Sequence, residues 1–350
     1  MPSALTVAVL WFLCLGLRPD PAGAQADQPR LRGVAFSHQK TPGDLRSKGA
    51  AASMAHLRRH VHAGWIALSP TAYQQRHDDP NVYAAKDDPP DRDLRHAIRQ
   101  AHDLGLKVMV KPHIWLENRR QGRWRGAIAM GDSAAWDRWF ATYSAFVLHY
   151  ARLAADEKAD LFCVGTELSG TTLARPDQWR RLIQAVRRVY PGPLTYAANW
   201  LDEYDLVEFW DALDYIGVNA YFPLSDSPAP EAAALKRRAA RVADEIGLLY
   251  FRFGKKVLLT EVGFKSAYGT SVRPWTWHNG AVGAVDLQTQ ARCYEAVFAA
   301  FWRRPWFAGT FWWRWYSDLR RGGPRDSDFT PQNKPAAAVL RRWYGPGGGD

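Results

Sequence analysis

LFCVGTEL, residues 161–168, is an apolar run that stops on an acid. Its first residues read as a short buried strand, and Glu167 stands at the strand's C-terminal end. KVLLTEVG, residues 256–263, repeats the arrangement with Glu261. A glutamate in the first turn of a following helix would be favoured there by the helix dipole alone. Two of them, each delivered by a rigid apolar run, point instead to polar residues placed on the rim of a parallel barrel.

Working outward from these two runs, six more short apolar stretches can be read as strands: 31–37, 65–69, 107–115, 193–199, 215–222 and 307–313. Between them lie stretches of helical period. The clearest spans 134–155, with Trp136, Trp139, Phe140, Tyr143, Val147 and Tyr150 on one face. Pro176 and Asp286 open two others, a proline in a first turn and an aspartate at an N-cap. Eight strands alternating with helices predict an α/β fold, a single (β/α)8 TIM barrel over residues 25–345. An open doubly wound sheet would carry a glycine-rich fingerprint after its first strand, and none is present. Helix-to-strand connections are terse, whereas 70–91, 116–133, 264–285 and 316–334 are long. That asymmetry is expected when one rim carries the site.

The chain has 350 residues, 47% of them hydrophobic, which excludes a disordered polypeptide. Its 17 tryptophans could build a bulky core, but tryptophan is rarely buried completely, so some are expected in a groove, where indole faces stack on sugar rings. Residues 4–17 are apolar and Ala22-Gly23-Ala24 has the form of a signal-peptidase site. Residues 1–24 are therefore expected to act as a signal peptide, sending the protein to the periplasm or the exterior without stable membrane insertion. An uncleaved N-terminal anchor is the alternative. Residues 346–350 read as a loose tail. Cys163 and Cys293 sit in apolar patterns and read as core residues. The net charge of +11 is spread over helix faces, so nucleic acid is not an expected partner. Only Arg119, Arg120, Arg123 and Arg125 are locally concentrated.

Paired carboxylates suit glycoside hydrolysis, in which one protonates the leaving oxygen and the other attacks the anomeric carbon or activates water. The placement of Glu167 and Glu261 resembles that of the clan A retaining glycosidases. Within that clan, LSP (68–70), KPHIW (111–115), FCVGTE (162–167), GVNAYFP (217–223), LLTEVGF (258–264), FWWRW (311–315) and FTPQNKPAAAVLRRWYG (329–345) resemble glycoside hydrolase family 113. The resemblance implies an endo-β-1,4-mannanase with Glu167 as general acid/base and Glu261 as nucleophile. It implies that Tyr221 hydrogen-bonds the nucleophile and that Trp313 forms the floor under the reacting sugar, with Trp312 and Trp315 close enough to compete. Thr166 stands where the clan usually carries an asparagine that contacts the sugar 2-hydroxyl, which leaves the sugar's identity open.

Lys111, His113 and Trp115 alternate onto one face at the end of strand three, and Asn199 and Asn219 end strands five and six. Polar groups facing a barrel interior must be hydrogen-bonded or wet, so these are candidate sugar contacts. Trp124, Trp275, Trp277 and His278 lie in the long rim loops. His56 and His60 have the spacing of a metal pair but no acidic third ligand, and a surface helix explains them better. Neither a metal nor a cofactor is expected, and the partner is a polysaccharide or oligosaccharide bound by a monomer. Two other functions fit the residues: a glycan-binding barrel without chemistry, and an enzyme for an acidic exopolysaccharide or cell-wall glycan, motivated by the arginines of 119–125.

Overall fold

The computed structural model describes residues 29–38, 41, 43–84, 88–118, 123–276 and 284–348. The expected signal segment 1–24, Arg119, Arg120, Trp277, His278 and the last two residues of the tail lie outside these.

Among the described residues eleven strands form. They are β1 (Leu31–Ser37), β2 (Trp65–Leu68), β3 (Thr71–Gln74), β4 (Tyr83–Ala84), β5 (Lys107–Val110), β6 (His113–Leu116), β7 (Leu161–Thr166), β8 (Leu194–Asn199), β9 (Tyr215–Asn219), β10 (Val257–Val262) and β11 (Phe307–Tyr316). Eight of them, β1, β2, β5, β7, β8, β9, β10 and β11, close into a parallel barrel in chain order. The expected single strand 107–115 is a correction. Pro112 has no N–H to give a ladder, so β5 ends at Val110 and the chain re-forms as β6 beside β3. Strand β4 pairs antiparallel to β3, and the three make a small second sheet above the rim.

Helices jacket the barrel: α1 (Lys48–His56), α2 (Asp91–Asp103), α3 (Ser133–Asp156), α4 (Ser169–Thr172), α5 (Pro176–Arg187), α6 (Ala232–Phe253), α7 (Leu287–Phe301) and α8 (Pro335–Tyr344). Their starts follow local chemistry. The Asp132 carboxylate accepts the Ala135 N–H at 2.8 Å, Asp286 accepts that of Thr289 at 2.8 Å, and Pro176 occupies the first turn of α5. Among the described residues no helix is long and apolar enough to cross a membrane.

Alternation sorts each strand's side chains between two apolar layers. Leu31, Ala67, Met109, Leu161, Cys163, Ala197, Leu258, Ala308 and Phe311 fill the barrel interior. Phe162, Val164, Val257 and Leu259 join the much larger layer between strands and helices. β-Bulges interrupt this order near the C-terminal ends, and two of them adjoin the glutamates. Between Cys163 and Thr166, β7 carries one residue more than its partner β8, and β10 does the same against β9 between Leu259 and Glu261. On β10 the consequence is large. Strict alternation would put Glu261 on the helix-facing side with Val257 and Leu259, and the bulge turns it inward. On β7, Gly165 is required at the irregularity, because a Cβ there would lie 2.6 Å from the Tyr143 hydroxyl and 2.7 Å from Trp179.

Candidate active site

A cavity of about 380 Å³ opens at the C-terminal rim. Its wall includes His113, Trp115, Trp124, Arg125, Glu167, Asn199, Trp200, Tyr221, Glu261, Trp275 and Trp313. Both glutamates are nearly buried, and each carboxylate has its own set of donors.

Glu261 receives the Lys111 ammonium on Oε1 and the Tyr221 hydroxyl on Oε2, the latter at 2.8 Å. Lys111 follows β5 with its side chain fully buried, so its charge is compensated by this carboxylate. Burial and the Glu261 charge together hold the Tyr221 phenol well above its ordinary pKa, which keeps it a donor. His113 Nε2 lies 3.6 Å from Glu261 Oε1, too far to bond, and has no hydrogen-bond partner among the described residues. Burial, reinforced by the Lys111 and Arg125 charges, pushes the imidazole well below its usual pKa. It is therefore neutral, stacked on the Trp313 ring at 6.2 Å between centroids and 10° between planes.

Glu167 stands just past β7 with φ of 54°, in the left-handed region that a non-glycine residue adopts only under constraint. Its Oε2 accepts a hydrogen bond from Arg125 Nη2 at 2.5 Å and its Oε1 one from Asn199 Nδ2 at 3.3 Å. Arg125 is itself held over the rings of Trp115 and Trp124, at 4.7 and 5.8 Å from their centroids.

The fold brings most of the sequence-predicted residues together. His113, Trp115, Asn199, Tyr221, Trp313 and both glutamates line the cavity, as do Trp124 and Trp275. Lys111, Thr166 and Asn219 do not. Lys111 sits behind Glu261, Thr166 donates its hydroxyl to the Pro112 carbonyl at 3.2 Å, and Asn219 accepts from the Thr260 hydroxyl at 3.0 Å. Trp312 and Trp315 face the helices. Trp312 stacks on Tyr294 at 3.7 Å, and Trp315 donates to Ser53 Oγ at 3.0 Å, so Trp313 alone of the three reaches the cavity. His56 packs against Trp315 at 5.9 Å.

Two wall residues and one buried residue behind the wall escaped the sequence reading. Arg125 was visible only as one of a local arginine run, and its neighbour Arg123 meets His77 instead. Trp200, directly after Asn199, pairs with Trp275 at 5.0 Å and could have been found as an aromatic beside a strand-end asparagine. Glu203, four residues beyond Asn199, is wholly buried and carries no signal in composition or period.

A cavity walled by five tryptophans, with two carboxylates each held by cationic and neutral donors, can bind a sugar chain and cleave a glycosidic bond. The comparisons agree. The profile of Glycoside Hydrolase Family 113 matches residues 34–334. A solved GH113 β-1,4-mannanase complex is 28% identical, with a TM-score of 0.80 over 91% of this chain and 99% of that one. A GH113 β-mannanase from Alicyclobacillus acidocaldarius, in complex with ManMIm, is 31% identical, with a TM-score of 0.79 over 92% of this chain and 99% of that one. A β-glucuronidase from Ruminococcus gnavus shares the fold alone, at 13% identity and a TM-score of 0.62 over 91% of this chain and 51% of its own. Among curated proteins a sequence search found no match.

Proposed function

The chain belongs to glycoside hydrolase family 113, and from that premise we propose that it is a retaining endo-β-1,4-mannanase with Glu261 as nucleophile and Glu167 as acid/base. That it is a glycoside hydrolase acting on a carbohydrate follows from the family itself. The finer reading is carried by one observation, the contrast between the two carboxylates. Glu261 is held by the fully buried Lys111 ammonium and the Tyr221 hydroxyl, whereas Glu167 is held by Arg125 and Asn199, which both line the cavity.

In the first step a Glu261 oxygen attacks the anomeric carbon while Glu167 delivers a proton to the departing glycosidic oxygen. The bond to that oxygen breaks, a glycosyl-enzyme forms, and Arg125 stabilises the carboxylate left on Glu167. In the second step Glu167 takes a proton from water, which attacks the same carbon and releases Glu261. Lys111 and Tyr221 stabilise the charge that returns to Glu261 on release. Neutral His113 offers a ring nitrogen to a sugar hydroxyl, and Trp313 underlies the reacting ring.

Residues 1–24 serve as the export signal in this reading, and 25–345 form the catalytic domain. Release of reducing sugar from β-mannan, measured beside glucomannan, galactan, xylan and cellulose, tests the substrate. Proton NMR of the first-formed anomer tests retention. Cleavage of xylan or cellulose with β-mannan untouched would sink the mannanase reading.

A further inference from the structure

Behind Glu167 lies a second carboxyl that the two-step mechanism does not use. Glu203 has no exposed surface, and among the described residues no arginine, lysine or histidine pairs with it. A buried carboxyl without a cation is unfavourable unless donors surround it. Three do. Its Oε2 accepts the Asn199 backbone N–H at 2.7 Å, and its Oε1 accepts the hydroxyls of Tyr196 at 2.6 Å and Thr172 at 2.7 Å.

Each of the first two contacts leads on to Glu167. Asn199, fixed through its own main chain, extends its side-chain amide to Glu167 Oε1 at 3.3 Å. The Asn199 amide oxygen is occupied by the Leu201 N–H at 2.9 Å, so the NH2 group is the end turned toward Glu167. On the other branch, the Tyr196 oxygen accepts the Leu168 N–H at 2.7 Å, from the peptide that immediately follows Glu167. Because Tyr196 accepts there, its own proton is directed to Glu203. Glu167 sits between the two branches at a positive φ, a conformation that persists only where surrounding contacts over-determine it.

We propose that Glu203 is a positioning residue for the acid/base, one buried carboxyl that aims Glu167 through Asn199 and fixes its backbone turn through Tyr196. This rests on the reading of Glu167 as acid/base. All three partners donate to Glu203, so the ionised carboxyl, an acceptor on both oxygens, satisfies the site in full, and rates are compared at about pH 8, where Glu203 is ionised. A glutamine in its place turns an NH2 toward a donor and breaks at least one branch.

The test compares kcat/KM, which reports glycosyl-enzyme formation, on mannopentaose and on 2,4-dinitrophenyl β-mannobioside. The first leaving group needs protonation and the second does not. Glu203→Gln should lower kcat/KM on mannopentaose about 10- to 100-fold, through kcat with KM within about twofold. On the dinitrophenyl substrate the loss should stay below about threefold. Tyr196→Phe cuts one branch and should show the same selectivity, about 3- to 10-fold, and it decides the matter if Glu203→Gln fails to fold. Glu167→Ala is the control. If it loses activity equally on both substrates, the acid/base reading falls whatever Glu203 does. If it is selective while Glu203→Gln and Tyr196→Phe leave both rates unchanged, or lower both equally, the positioning role is overturned.

Discussion

The ammonium of Lys111 rests on a carboxylate oxygen of Glu261, and the lysine side chain is wholly buried beneath the cavity floor. A pair of this kind is poor evidence of net stability, but removing one partner strands the other. Lys111→Met should therefore lower stability by about 3–5 kcal/mol, seen as a drop in the thermal midpoint. It should also reduce kcat/KM by about 100-fold or more on mannopentaose and on the dinitrophenyl substrate alike, because both need the nucleophile. A loss confined to mannopentaose would move Lys111 to the acid/base side.

The carboxylates should answer azide differently. Glu167→Ala leaves the nucleophile intact, so azide should intercept the glycosyl-enzyme from the face that water uses and give the β-glycosyl azide. Glu261→Ala leaves a space where the nucleophile stood, and azide entering it should give the α-azide. Product NMR distinguishes the two, and exchanged stereochemistry would reverse the assigned roles.

The tryptophans should separate by position. Trp313 stacks on His113 beside Glu261, whereas Trp124 and Trp275 stand further out and are each more than a third exposed. Stacking contributes on the order of 1 kcal/mol per ring, so Trp124→Ala or Trp275→Ala should raise KM on long oligosaccharides about 5- to 10-fold. Trp313→Ala should lower kcat on substrates of every length, because the ring it supports distorts toward the transition state. Kinetics on tetra- and hexasaccharides check this, and equal losses at all three positions would contradict it.

Glu203 gives a stability signature. Burial, opposed by its three donors and reinforced by the Glu167 charge, pushes its carboxyl up from 4.5 to about 7. The folded state thus binds a proton that the unfolded state has released between these values, and stability from this group falls as pH rises through that window. The whole effect is roughly 3 kcal/mol. Denaturant midpoints of the wild type should decline from pH 5 to pH 8, and Glu203→Gln should flatten that slope. An unchanged slope would mean that Glu203 keeps its ordinary pKa.

The sequence by itself determined the barrel, because eight short apolar runs alternating with amphipathic stretches leave few ways to bury both kinds of face. It also placed Glu167 and Glu261 at strand ends, since an acid terminating an apolar run is local information. His113 and Trp115 share a face of β6 as their spacing required, whereas Lys111, cut off from them by Pro112, lies against Glu261 outside the cavity wall. What only the tertiary structure decided was direction. The period of two assigns Glu261 to the helix-facing side of β10, and one extra residue opposite β9 reverses it. A bulge is set by pairing with a neighbouring strand and leaves no mark in one strand's pattern. The same limit applies to Arg125 and Glu203, distant from Glu167 by 42 and 36 positions in sequence, which become its neighbours only when the rim loops close over the barrel.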